Sequence, residues 1–237
     1  MRPTSHAKAP TTTALAVFLI GGCASTQRMP TQQQTEVRWA FEGDRVDHVP
    51  GGWRIAETNP TEKLATWKVT RDATAPSGSN VFALTQSKNY DGTYNLAIAE
   101  GTAHKDLDLT VKVKAVAGKE DQGGGPIWRC QDAKNYYICR INPLESNYRV
   151  YKVVDGRRRQ LDSAKVELQA NRWYALRVTM IGDHITCYLE GAKMLEATDT
   201  LIRSGGKVGL WTKADAVTWF DDLSVREATR ATSDSGG

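Results

Sequence analysis

The chain has 237 residues, 40% of them apolar and 24% charged, the balance of a globular protein that buries a core rather than of a disordered or fibrous one. Its formal net charge is +4, from 31 basic and 27 acidic residues. Setting aside Arg2 and Lys8, which fall in an expected leader, leaves 29 against 27, too even a balance to draw the chain onto nucleic acid.

Arg2 and Lys8 precede the apolar run ALAVFLI (Ala14–Ile20) and the small pair Gly21-Gly22. A basic start, a short apolar run and small residues at the cut make an export signal, and the run is too short to span a bilayer as a mature anchor. LIGGC resembles the bacterial lipobox, with Ile20 where leucine is usual. That resemblance implies a signal peptide over 1–22 and acylation of Cys23, and Ala24 in place of an aspartate implies an outer-membrane address. Acyl chains would then hold the protein to the membrane without a transmembrane helix. Residues 23–36, which include QQQ, read as a polar tether, and the small, polar residues 227–237 as a frayed tail.

From 37 to 226 the apolar period is two. Leu107, Leu109, Val111 and Val113 alternate with Asp108, Thr110, Lys112 and Lys114; Tyr174, Leu176, Val178 and Met180 repeat the pattern. Gly182-Asp183, Glu190-Gly191 and Asp155-Gly156 supply hairpin turns. About a dozen short strands with turns every 8–12 residues predict one all-β domain, a two-sheet antiparallel β-sandwich of jelly-roll type. One helical turn is expected at Thr200–Ser204.

Most chemistries find no support. Cys130, Cys139 and Cys187 lack metal-ligand spacing and read first as small strand hydrophobes, with a Cys130–Cys139 bridge across a hairpin as the second reading. The triple glycine of GKEDQGGGPIWR (Gly118–Arg129) leads into Pro126 and a strand, not a helix, so it reads as a close approach of backbones rather than a phosphate cradle. Three histidines follow the leader, and no nucleophile elbow is present. Among carboxylates, Asp106 and Asp108 continue into what reads as a solvated row. Glu120-Asp121 suit a turn or a cation, and one of Asp221-Asp222 suits a buried, hydrogen-bonded strand end.

Binding has more to work with. Neutral sugars are held by aromatic faces against their C–H surface and by planar hydrogen-bonding groups at their hydroxyls. The chain has seven tryptophans, most of them expected in the core and about two partly exposed. Arg140 and Asn142 share a strand face, Arg129 lies in the preceding strand, and Glu145, Asn147, Arg149 and Tyr151 follow. Arginines in a sandwich strand cannot face an apolar core unpaired, so they should face the other surface. Whether they hold a ligand or only one another is left open by the residues. Arg157-Arg158-Arg159 reads as a solvated hairpin tip.

GGPIWR, NYYICRI, RWYALRVTMIGDHITCYLEGAKM and GKVGLWTKADAVTWFDDLSV, in that order, resemble the concanavalin A-like lectin/glucanase superfamily. Within it they resemble the 3-keto-disaccharide hydrolase domain family and its laminin G-like relatives. The resemblance implies the sandwich fold and a carbohydrate or glycoconjugate partner, with Trp128, Arg129, Arg140, Asn142, Tyr151, Trp211 and Lys213 as candidate ligand-binding residues. It also implies, as an alternative, a glycoside-type hydrolase acting on 3-keto-disaccharides or related glycosides, with Glu145, Asp215 and Asp221 as candidate carboxylates. An adaptor that binds another envelope protein is a third class, since this fold hosts all three. No cofactor is expected; calcium, common in that superfamily, has no assigned ligand set.

Overall fold

The computed structural model describes residues 35–61 and 63–229. The expected signal peptide, Cys23, and most of the tether and tail lie outside the described residues. The strands are β1 (Val37–Trp39), β2 (Trp53–Thr58), β3 (Thr66–Arg71), β4 (Asn80–Gln86) and β5 (Tyr94–His104). They continue with β6 (Leu107–Ala117), β7 (Gly124–Asp132), β8 (Asn135–Asn142), β9 (Asn147–Val154) and β10 (Arg157–Lys165). The last are β11 (Trp173–Ile181), β12 (His184–Leu189), β13 (Ala192–Thr198), β14 (Gly206–Lys213) and β15 (Val217–Glu227). Two antiparallel sheets form the sandwich: β13-β12-β11-β6-β15-β4-β3 with β1 beside β15, and β10-β9-β8-β7-β14-β5-β2.

The two alternating runs that signalled strands pair with each other. Val113, Val111, Leu109 and Leu107 of β6 stand opposite Tyr174, Leu176, Val178 and Met180 of β11, so one register sends all eight into the core. At the β9–β10 turn Asp155 and Gly156 take φ of 49° and 75°, and at the β12–β13 turn Glu190 and Gly191 take 50° and 82°. Positive φ at both central residues matches the twist of the flanking strands.

Between the sheets, Trp67 stacks on Phe220 and Trp128 on Tyr137, with Trp53 edge-on to Phe82. Each such buried side chain contributes about 1.5–3 kcal/mol of transfer free energy. The triple glycine lets β7 lie close to its neighbours. A Cβ on Gly123, Gly124 or Gly125 would come within 2.2, 2.3 and 2.0 Å of the carbonyl oxygens of Ile141, Trp211 and Cys139.

Three expectations are corrected. Residues 200–204 form no helical turn: Asp199 Oδ1 accepts from Leu201 N, and Tyr137 Oη accepts from Ile202 N, which holds the segment as an irregular loop. Cys130 and Cys139 lie on opposite faces of the second sheet, Cys139 in the inter-sheet core and Cys130 on the outer face, so they cannot bridge. Asp108 is not solvated; it lies under Arg177 and Arg226, both ion-paired to it.

Candidate functional site

The outer face of the second sheet carries a second apolar cluster: Ala56 of β2, Tyr94, Leu96 and Ile98 of β5, and Ile127 and Cys130 of β7. Tyr136 and Ile138 of β8, Tyr151 and Val153 of β9, and Trp211 of β14 complete it. Among the described residues no further strand lies over this floor, and its side chains are nevertheless buried, none more than 9% exposed. It is roofed partly by Ala133, in the β7–β8 turn, and partly by Arg158 of β10. The Arg158 guanidinium lies 4.5 Å from the Tyr151 ring centre, 5.1 Å from Tyr94 and 5.7 Å from Trp211. Below it, the Trp211 indole N–H donates to Tyr136 Oη, which also shares a hydrogen bond with Thr58.

At the Asn142 end the same alternation sets Arg140 and Asn142 beside the floor, opposite Arg149 and Asn147 of β9. Arg140 is 1% exposed. It donates Nη1 to Asn147 and Nη2 to Glu145 Oε2 at 2.8 Å, with a longer contact to Tyr151 Oη at 3.3 Å. Asn142 donates to Asp121 Oδ1 at 3.1 Å and accepts from the Glu145 backbone N–H at 3.2 Å, so it ties the Asp121 carboxylate to the β8–β9 turn. Lys213, at the end of β14, ion-pairs with Asp91 at 2.6 Å and with Asp121 Oδ2 at 3.1 Å. Tyr90, next to Asp91, is 71% exposed at the rim.

These acids are driven apart. Burial raises the Asp121 carboxyl above its ordinary value, against the pull of Arg140 and Lys213. Burial also acts upward on Glu145, but hydrogen bonds from Asn147 and Arg140 outweigh it and hold the group at about 2. Asp91 is lowered by its hydrogen bond from Lys213.

Not every polar atom here is matched. Among the described residues six buried side-chain N or O atoms lack an aligned hydrogen bond, and three are in this cluster: Arg140 Nε and Arg158 Nη1, which have no polar partner, and Asp121 Oδ2, which keeps its ion pair with Lys213 at 3.1 Å. Buried polar groups are nearly always paired, so two unpaired guanidinium nitrogens within one cluster are an unusual feature of this face.

Of the expected ligand-binding residues, Arg140, Asn142, Tyr151, Trp211 and Lys213 come together here. Trp128 lies in the inter-sheet core on Tyr137, its N–H on Met180 Sδ. Arg129 is spent on loops: Nε donates to Lys105 O, Nη1 to Ile202 O, and Nη2 to Gly182 O and Asp106. Its φ of 44°, in a stretch where the β7–β8 register shifts, breaks the alternation. Of the candidate carboxylates, Glu145 is at the cluster. Asp215 accepts from the amides of Lys119, Glu120 and Asp121, which fixes the loop carrying Asp121. Asp221 is on the other sheet, bonded to Ser77 and raised by burial to about 6.

Residues 41–226 match the family of 3-keto-alpha-glucoside-1,2-lyase-like domains. The chain belongs to this family. A comparison with curated proteins finds no match. Similar solved structures include the carbohydrate-binding module CBM66 from Bacillus subtilis, with 20% identity, TM-score 0.58, and 74% of this chain and 96% of that one covered. Domain 4 of an extracellular arabinanase from Geobacillus stearothermophilus, solved with arabinotriose, has 9% identity, TM-score 0.53, and coverage of 81% and 91%. The Bacillus licheniformis beta-glucanase has 13% identity, TM-score 0.56, and coverage of 84% and 100%. All share the sandwich fold with this member of the family.

Sequence reasoning did not single out Asp91 and read Asp121 only as suiting a turn or a cation, and its reading of Arg158 as part of a solvated hairpin tip is corrected, since that guanidinium packs on Tyr94, Tyr151 and Trp211. The signal for Arg158 was present. β10 begins directly after the Asp155-Gly156 turn, so alternation sends Arg158 to the aromatic floor and Arg157 and Arg159 to the other face. There they line a cavity of about 590 Å³ with Lys152, Val154, Asp155 and Leu201. None of the residues lining that cavity carries a buried unpaired polar atom. Among the described residues no group of three or more His, Cys, Asp or Glu side chains converges as metal ligands.

Proposed function

We propose that the outer face of the second sheet, around Arg140, Asn142, Tyr151, Arg158 and Lys213, binds a glycan or glycoconjugate, and that an envelope lipoprotein anchored at Cys23 presents it. The two unpaired guanidinium nitrogens, Arg140 Nε and Arg158 Nη1, on side chains that lie against Tyr151 carry this reading. Sugar hydroxyls can accept from guanidinium N–H groups that lack a partner and donate to the carboxylates of Glu145 and Asp91 beside them. The structural neighbours, a carbohydrate-binding module and an arabinanase domain solved with arabinotriose, support it. A glycan array followed by isothermal titration tests it: binding that Arg140→Met abolishes is the expected result, and no carbohydrate binding by the folded protein refutes it. Membrane fractionation tests the anchor, with Cys23→Ser expected to release the protein.

A second reading, catalysis on 3-keto-glycosides as the family's description suggests, rests on Asp121. A 1,2-lyase must move protons near a ketone, and a carboxyl raised by burial near Lys213 and Asn142 suits that task, whereas Glu145 at about 2 is too weak a base. Incubation with 3-keto-disaccharides and product analysis separates the two: turnover lost in Asp121→Asn favours catalysis, and binding without turnover favours recognition alone.

A further inference from the structure

Arg158 differs from the other cations around the aromatic floor. Arg140 and Arg149 share Glu145, and Lys213 holds Asp91 and Asp121. A negatively charged ligand approaching those three would meet carboxylates already in place. Arg158 makes no ion pair among the described residues and is held instead by the faces of Tyr94, Tyr151 and Trp211. Asp91, whose charge is felt at Arg158's side of the face, is committed to Lys213. Because its enclosed Nη1 has no acceptor, the guanidinium gives up no protein hydrogen bond through that atom when it turns toward a ligand. Aromatic faces hold the side chain in place without neutralising it, which leaves a planar, charged fork ready for a carboxylate.

We infer that the glycan recognised here carries a carboxylate, as a uronic acid does, and that Arg158 is the residue that reads it. This rests on the reading of the face given above and names its ligand class. A carboxylate at Arg158 makes two parallel charge-assisted hydrogen bonds, while the buried rings of Tyr94, Tyr151 and Trp211 beneath keep the guanidinium seated. Arg157 and Arg159, on the other face of β10, cannot substitute for it.

The test is isothermal titration of the full-length protein with oligogalacturonate and oligoglucuronate, each beside its carboxyl-reduced, neutral counterpart of the same length. The acidic form is expected to bind at least tenfold tighter, with the preference weakening as salt rises. Arg158→Met, which keeps an apolar cover over the rings, is expected to bring the ratio of acidic to neutral affinities close to one. Arg158→Lys, which keeps the charge but loses the fork, should lower that ratio at least threefold; it serves as the test if the Met variant fails to fold. Equal affinities for acidic and reduced oligosaccharides, or a ratio that survives Arg158→Met, overturn the assignment of Arg158 while leaving the glycan-binding reading standing. No binding of any acidic or neutral glycan removes both.

Discussion

Arg129 and Arg140 lie in adjacent strands of one sheet, each 1% exposed, yet they are built for opposite tasks. Three backbone carbonyls and Asp106 take every nitrogen of Arg129, drawn from the segments around 105, 182 and 202. Arg140 is held by side chains, Asn147, Glu145 and Tyr151, and its Nε is left over. A buried arginine whose donors end mainly on backbone carbonyls ties loops together. One whose donors end on other side chains, with a donor spare, is poised to exchange partners with a ligand. Burial and residue type alone do not separate the two; the bonding does.

The sharpest way to break this contrast is to remove Arg129. Arg129→Met leaves several buried acceptors unpaired and should lower unfolding free energy in urea by about 3–5 kcal/mol, with glycan affinity of the folded protein unchanged. A mild stability loss joined to a loss of binding would reverse the roles assigned to the two arginines. Arg140→Met should do the opposite. Binding falls at least tenfold, while stability falls by only about 1–2 kcal/mol, because Glu145 is open enough to be hydrated once its partner is gone.

A smaller effect comes from pH. Glu145 is held at about 2 in the fold, below the ordinary glutamate value, so its stabilisation is complete above the unfolded value near 4.5 and is lost as pH falls from there through 2. With 40% of its side chain exposed, screening discounts this to about 1 kcal/mol or less. Acid titration of stability should therefore show a component in that window that Glu145→Gln removes. The smallest expected change is at the rim: Tyr90→Ala should leave thermal stability unchanged and weaken glycan affinity two- to threefold. An unchanged affinity would confine recognition to the arginine-lined part of the face.

The sandwich was legible because alternation dominates it; the β6 and β11 runs pair as their periods require. Arg140 and Asn142 were legible for the same reason, since a polar residue two positions on from another in a regular strand shares its face. Arg129 was not. One residue of positive φ in an irregular part of the β7–β8 ladder removes the parity on which any face assignment depends. Trp128 could not be told from a sugar platform by composition, because only its stacking on Tyr137 places it inside. Asp121 was passed over because its character is not local. Asn142 and Lys213, distant in the chain, make it a buried acid, and Asp215 holds its loop.

The most direct test follows the side-chain Nε–H resonances of Arg129, Arg140 and Arg158 by NMR while the best glycan from the array is added. The Arg140 and Arg158 signals should shift and sharpen as those groups gain partners, and Arg129 should not move. Shifts confined to Arg129 and the loop around Ile202, or the same glycan binding with the Arg140 and Arg158 signals unmoved, would contradict the assignment of the outer face as the binding site.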